Sequence, residues 1–420
     1  MTSDSPTTAT SDTTDATASA SGMKRRRGFL GSIGPAFITA ALVFGPGSIT
    51  TASAMGASFG YQLLWVPVVS TVLMLCFVDI GVRIGLSTDR GILPTITRQL
   101  TGVIALLVGI GSFLVVTSFQ AGNSVGAGAG ASLLAGGDAR WWAAGFTLIG
   151  IAFVWLPRFY PVLEKTMIVV ILIMLVALVT TAVISRPDLG QAVRGLVPTM
   201  PSGSTALVVG LAATTFSVVG ALYQIQLVRE KGWTSQDYAV ARRDAVGGSL
   251  ILGGLSFVII LAAAAVLQPA GVEVTSPAAL AMILQPIGEW AAALFAVGLW
   301  AAAFSSLLGN STIGGSMLAG VFRIDAGGLS SPKVKACITA VIVLGGVVAV
   351  IFGGIPIQLI LTAQAVTIVL VPLIGVVMVL LARSGDRGNL RIGVAQLVVA
   401  VIGVLFLLGL AISYVVRLFL

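Results

Sequence analysis

Histidine is absent from this chain of 420 residues. That absence removes the usual imidazole base, the neutral-pH proton shuttle and the commonest metal ligand together. Charge is nearly as scarce. Asp, Glu, Lys and Arg make up 9 % of the residues, against about 25 % in an ordinary soluble domain. Too little charge remains to cover a water-facing surface, which excludes a soluble enzyme or binding domain. Only two cysteines occur, Cys76 and Cys337, far apart and each inside an apolar run. Neither a disulfide framework nor a cysteine metal site is expected, and both thiols read as packing. No nucleophile–base pair stands out, so no enzyme and no cofactor are expected.

What is present is apolar. Hydrophobic residues form 57 % of the chain and mean hydropathy is +1.06, the composition of an integral membrane protein whose principal partner is the lipid bilayer. The 51 glycines, with abundant Ala, Ser and Thr, suit close helix–helix approach in lipid. A net charge of +8 would suggest nucleic acid if it were clustered on one face. The basic residues instead lie between hydrophobic runs, so they report topology and no nucleic-acid partner is expected.

Residues 1–28 read as a disordered cytoplasmic tail, rich in Ser, Thr, Ala and Asp and closing on Lys24-Arg25-Arg26-Arg27. The basic cluster follows the polar stretch instead of opening the chain, so this is not a signal peptide. Met23 stays open as the start. Residues 29–420 read as one transmembrane domain. Eleven spans are expected, at about 33–57, 62–85, 101–134, 141–157, 161–185, 204–229, 245–268, 279–320, 334–353, 356–382 and 392–416. Each holds enough apolar residues to cross about 30 Å of hydrocarbon.

With the N-terminus in the cytoplasm, Arg140, Arg186, Arg194 and Arg417 fall outside. The other nineteen of the 23 Lys and Arg fall inside. An odd number of spans preserves that asymmetry and places the C-terminus outside the cell membrane. Asp79, four residues before Arg83, is the only acid well within a span and reads as half of a structural ion pair.

Two spans carry breaks. Gly45-Pro46-Gly47-Ser48 interrupts the first: proline removes a backbone donor and the glycines loosen the turn. Five spans later, Thr214-Thr215-Phe216-Ser217-Val218-Val219-Gly220 interrupts the sixth. Breaks at corresponding places in two five-helix halves point to an inverted-repeat transporter with its site between them. The expected fold is therefore all-α, five plus five helices with an eleventh, the first and sixth broken at mid-membrane.

Around these breaks the sequence resembles the Nramp family of divalent-metal transporters. The likeness lies in Gly34-Pro35-Ala36-Phe37, Gly45-Pro46-Gly47-Ser48 and Gly56-Ala57-Ser58-Phe59-Gly60-Tyr61-Gln62-Leu63-Leu64-Trp65. It continues in Val125-Gly126-Ala127, Leu294 to Leu299 with Ser305-Ser306, and Gln364 before Pro372. The resemblance implies a LeuT-type fold and alternating access around a midplane site. It also marks departures. The family's first-span Asp and Asn ligands correspond to Gly45 and Ser48, and its sixth-span Met to Ser217 or Val218. A third-span Asp and Glu correspond to Gln120 and Asn123, and an arginine of the proton path to Ala340.

Every aligned titratable position is thus neutral. Manganese and iron favour carboxylate, imidazole and, in this family, soft sulfur. A stripped dication without an anionic ligand faces several kcal/mol of uncompensated desolvation. The candidate lining is Gly45, Ser48, Gln120, Asn123, Thr214, Thr215, Ser217, Val218, Tyr223, Asn310 and Gln364. The leading expectation is a monomeric secondary transporter of a divalent cation at the family level, without proton-coupled manganese or iron uptake. The lining suits a cation carried partly hydrated, such as magnesium, or a small polar organic solute, and the ligand inventory by itself favours the solute. A carrier of a small polar organic solute, amino-acid-like or carboxylate, is the alternative. A non-transporting sensor of the same architecture ranks lower, because a sensor would be expected to carry a signalling domain beyond the last span.

Overall fold

A computed structural model describes residues 44–88, 90–156, 160–324, 328–384 and 390–419. The polar tail and the first half of the first span, 33–43, lie outside the described residues. All regular structure among the described residues is helical.

The first span is described from Phe44, through the extended Gly45, into helix α1 (Pro46–Phe59). Helices α2 (Trp65–Leu86), α3 (Ile92–Gln99), α4 (Gly102–Ala135), α5 (Ala139–Trp155) and α6 (Tyr160–Ile184) complete the first half. After α7 (Leu189–Arg194), the sixth span is split into α8 (Thr205–Thr215) and α9 (Val218–Glu230). Then follow α10 (Tyr238–Val266), α11 (Pro277–Ala281), α12 (Ala291–Val321), α13 (Pro332–Phe352), α14 (Pro356–Thr367), α15 (Val371–Arg383) and α16 (Val394–Phe419). Among the described residues seven stretches are long and apolar enough to cross a membrane, the α8–α9 pair counted as one.

Three features differ from the expected spans. The eighth does not run unbroken from residue 279. Pro286 and Gly288, with φ +118°, end a short α11 and its 3-10 extension before α12 starts at Ala291. The tenth is divided, since α14 ends at Thr367 and α15 restarts with Pro372 in its first turn. Amphipathic α3 is an addition. At eight residues it is too short for a hydropathy window to register.

The packing repeats itself. Under a shift of five spans the first becomes the sixth and the second the seventh. Helix α1 packs on α10 (first on seventh), and α9 packs on α2 (sixth on second). Likewise α4 with α5 matches α12 with α13, while α4 pairs with its own counterpart α12. Glycines allow the matched crossings. A Cβ on Gly56 would sit 2.6 Å from the Ile260 carbonyl oxygen in α10, and one on Gly81 would collide with the Ala221 carbonyl oxygen in α9. With lipid outside as apolar as the helices, such backbone contact is what dispersion attraction requires.

The Asp79–Arg83 pair is present, Nε donating to Oδ2 at 2.7 Å. Gln396 Nε2 donates to the same oxygen at 2.8 Å, while Tyr238 hydroxyl donates to Oδ1 at 2.8 Å. Arg83 also donates to the Tyr238 hydroxyl and to the Arg391 carbonyl. One buried carboxylate thereby ties α2, α10 and α16 together at one end of the bundle. Its role is structural, as its spacing from Arg83 suggested.

Candidate functional site

The site forms where the two broken spans face one another. Gly45 is extended, with φ −101° and ψ 177°, and Pro46 takes the first helical position. Proline suits that position because its fixed φ is already helical and the missing N–H would have no intrahelical partner. Gly45 supplies no side-chain cap, so the amides of Gly47 and Ser48 are left for a ligand or water. In the sixth span α8 ends at Thr215, and Phe216 and Ser217 leave helical geometry with ψ 63° and 86°. Ser217 Oγ then accepts from the Gly220 amide at 3.3 Å and starts α9. Phe216 is held edge-on against Phe77 of α2, with ring centroids 5.0 Å apart.

Between the breaks lies a cavity of about 40 Å³. Gly45, Gly47 and Ser48 form one side and Thr214 and Ser217 the other. The remaining walls come from α4 (Phe119, Gly122, Asn123), α12 (Asn310) and α14 (Ile360, Ala363, Gln364). Both 119-122-123 and 360-363-364 are single helical faces at i, i+3, i+4.

Two amide side chains are oriented by their other bonds. Gln120 Nε2 donates to the Leu307 carbonyl at 3.0 Å, and Asn123 Nδ2 donates to Gln120 Oε1 at 3.4 Å. This leaves Asn123 Oδ1 turned to Gly45, 3.0 Å from where a Cβ there would stand. On the opposite wall, Thr51 Oγ1 donates to Gln364 Oε1 at 2.7 Å. Gln364 Nε2 therefore lies against Gly47, in the space a Cβ would take. The cavity thus meets an acceptor on one side and a donor on the other. Thr214 Oγ1 donates back to the Leu211 carbonyl at 3.1 Å, which keeps its lone pairs free. Among the described residues no acid or base lines the cavity, and no cluster of three His, Cys, Asp or Glu exists.

Seven of the eleven expected residues line this cavity: Gly45, Ser48, Asn123, Thr214, Ser217, Asn310 and Gln364. Four do not. Gln120 is one layer behind, spent on orienting Asn123. Thr215 and Val218 flank the break but are buried, because consecutive helical residues point about 100° apart. Tyr223 lies more than a turn along α9, its hydroxyl bonded to Glu230 at 3.5 Å. Sequence reasoning missed Gly47, Phe119, Gly122, Ile360 and Ala363, which carry no polar side chain. The helical spacing from Asn123 and Gln364 was the available signal for the last four.

The sequence model of the family described as natural resistance-associated macrophage protein-like matches residues 36–417. Among solved structures, a single-site mutant of the Eremococcus coleocola manganese transporter superposes with a TM-score of 0.72. The two are 17 % identical over 92 % of this chain and 87 % of that one. The same transporter in complex with an aromatic bis-isothiourea substituted compound gives 0.70 at 16 % identity, over 90 % and 85 %. Mhp1, a nucleobase-cation-symport-1 family transporter in a closed conformation with bromovinylhydantoin bound, gives 0.61 at 16 % identity, over 91 % of each chain. At these identities the superpositions establish the fold, the LeuT-type inverted repeat.

Proposed function

This chain belongs to the Nramp family, and from that premise we propose that it is a secondary carrier moving a divalent cation that keeps part of its water shell. The observation that carries this reading is a small, wholly neutral cavity at the junction of two broken spans. About 40 Å³ is room for about three water-sized particles, the scale of an ion with one or two waters. Organic ligands occupy pockets of roughly 300 Å³ or more. A neutral lining cannot offset the stripping of a dication. It can accept hydrogen bonds from metal-bound water, and Asn123 Oδ1 and the hydroxyls of Ser48 and Thr214 supply such acceptors. Magnesium dehydrates reluctantly, so it suits this lining better than manganese does.

Because no titratable group is among the described residues lining the cavity, the ion crosses without a proton wire through the site. Purified protein in liposomes is expected to take up magnesium saturably, with no accompanying acidification of the lumen and little dependence on a pH gradient. Saturable, protein-dependent acidification during manganese influx would sink this reading.

One observation favours a second reading, a small carboxylate solute. The uncapped amides of Gly47 and Ser48 and the Gln364 amide are donors, the chemistry that half-helix N-termini offer a carboxylate. Competition settles the choice: solute that displaces magnesium and raises the melting temperature without metal favours the carboxylate.

The basic-residue asymmetry supports a cytoplasmic N-terminus and an outer C-terminus. Ser202 and Ser235 are exposed at opposite ends of the bundle, and the native thiols Cys76 and Cys337 are buried. In intact cells Ser202→Cys should react with an impermeant maleimide and Ser235→Cys should not. The reverse pattern would invert the topology.

A further inference from the structure

Away from the midplane site, at the end of the bundle where the basic residues gather, α3 lies across the start of α4 and the end of α12. Its buried face is Ile92, Leu93, Thr95 and Ile96, which leaves Thr97 and Arg98 exposed. Leu93 is wedged between two glycines. A Cβ on Gly109 of α4 would come within 2.9 Å of its Cδ1, and one on Gly320 of α12 within 3.0 Å. The three segments therefore hold a fixed shape, and between them is a cavity of about 710 Å³.

Its polar rim is cationic. Arg90, Arg98 and Arg323 line it, and no Asp or Glu is among its described lining residues. Arg98 and Arg323 have no acidic partner among the described residues. Arg323 stands just past α12 with φ +53°. Its amide donates to the Gly320 carbonyl at 3.1 Å, and the Ile324 amide to Ala319 at 2.9 Å. That helix-ending position is normally filled by glycine, since a Cβ is strained there. An arginine held in such a backbone is explained if its guanidinium is needed at this spot.

The lower wall is apolar and open to lipid. Leu106 lines the cavity, and Val103, Leu106 and Ile110 are 67 %, 45 % and 42 % exposed on one face of α4. Arg98 and Arg323 thus stand above a track that runs into the hydrocarbon. A free phosphate would use only the rim, whereas an acidic phospholipid uses rim and track together. Basic pockets between spans on the cytoplasmic side are suited to such headgroups. We propose that this pocket binds the phosphate headgroup of an anionic phospholipid, with an acyl chain lying along Val103, Leu106 and Ile110. The proposal is independent of the cargo at the midplane.

The full chain would be placed in nanodiscs of phosphatidylcholine, alone or with phosphatidylglycerol. Phosphatidylglycerol is expected to raise the melting temperature by several degrees and to remain bound in native mass spectrometry. Arg98→Gln with Arg323→Gln should weaken that binding about thirtyfold. Arg323→Gly separates binding from folding: it relieves the backbone, so melting in phosphatidylcholine should hold or rise while the lipid shift shrinks. Arg186→Gly, at the other strained arginine (φ +48°) and the opposite end of the bundle, should keep the full shift. An undiminished shift in the arginine variants would overturn the proposal. So would inorganic phosphate reproducing the shift in phosphatidylcholine alone, which would mark a free-anion site.

Discussion

Gly45→Asp combined with Ser48→Asn is expected to strengthen manganese binding, or to confer it where there is none. A Cβ at position 45 would stand 3.0 Å from Asn123 Oδ1 and 3.1 Å from Ser306 Oγ. A carboxylate there enters directly among the oxygen donors of the cavity, with small shifts of its neighbours. The second substitution would add an amide oxygen one helical turn on. Together they supply the anionic charge whose absence makes stripping a dication unfavourable. The gain should be at least about tenfold in affinity, or about 1.4 kcal/mol. It stays short of a dedicated manganese site because the break at Ser217 returns no sulfur. The carboxylate also costs about 3 kcal/mol on insertion scales, so expression should fall without metal. Calorimetry with manganese decides, with Ala340→Arg on α13 as a remote control. If the double variant binds no manganese and still moves its native cargo, the first break is only a kink.

The same two breaks show how much was legible in the sequence. Gly45-Pro46-Gly47-Ser48 announces its structure because proline and glycine act locally on the backbone. The hydroxyl-rich stretch at 214–217 was readable for the same reason. Hydropathy placed the spans where helices run unbroken, as in α2, α4 and α13. It failed where a lone proline or glycine interrupts an otherwise apolar run: Pro372 starts α15, and Pro286 with Gly288 delays α12 to Ala291. The site was half visible. Asn123 and Gln364 could be suspected as polar residues in apolar spans, but their orientation could not. The Asn123 oxygen faces the cavity only because Gln120 is anchored to Leu307, 187 positions away. Gln364 turns its nitrogen inward only because Thr51, 313 positions away, holds its oxygen. Tyr223 looked equally suitable by composition and lies beyond the break, since a helix turns a side chain away within a few residues.

Gly47→Ala is expected to abolish transport while leaving the bundle folded, through one contact. The added methyl would occupy the position of Gln364 Nε2 and lie 2.7 Å from its Cδ, where no methyl fits. Proline at 46 fixes φ at the start of α1, and the clashing atom is the end of a flexible side chain, so the glutamine is the part that moves. Its displacement breaks the buried bond from Thr51 and leaves both partners unsatisfied, at roughly 1–3 kcal/mol. The cavity then loses its donor wall and much of its small volume, and uptake should fall by more than about tenfold at saturating cargo. The energetic coupling of the pair gives the decisive test. Gln364→Ala alone opens the cavity and removes a donor, so it too should impair transport. Combined with Gly47→Ala, it removes the clash, and the double variant should be more stable than the sum of the single effects by about 1–2 kcal/mol. Melting temperatures of the four proteins in one detergent measure that difference. Strict additivity would mean that Gln364 does not occupy the space beside Gly47, and the donor wall assigned here to α14 would have to be withdrawn.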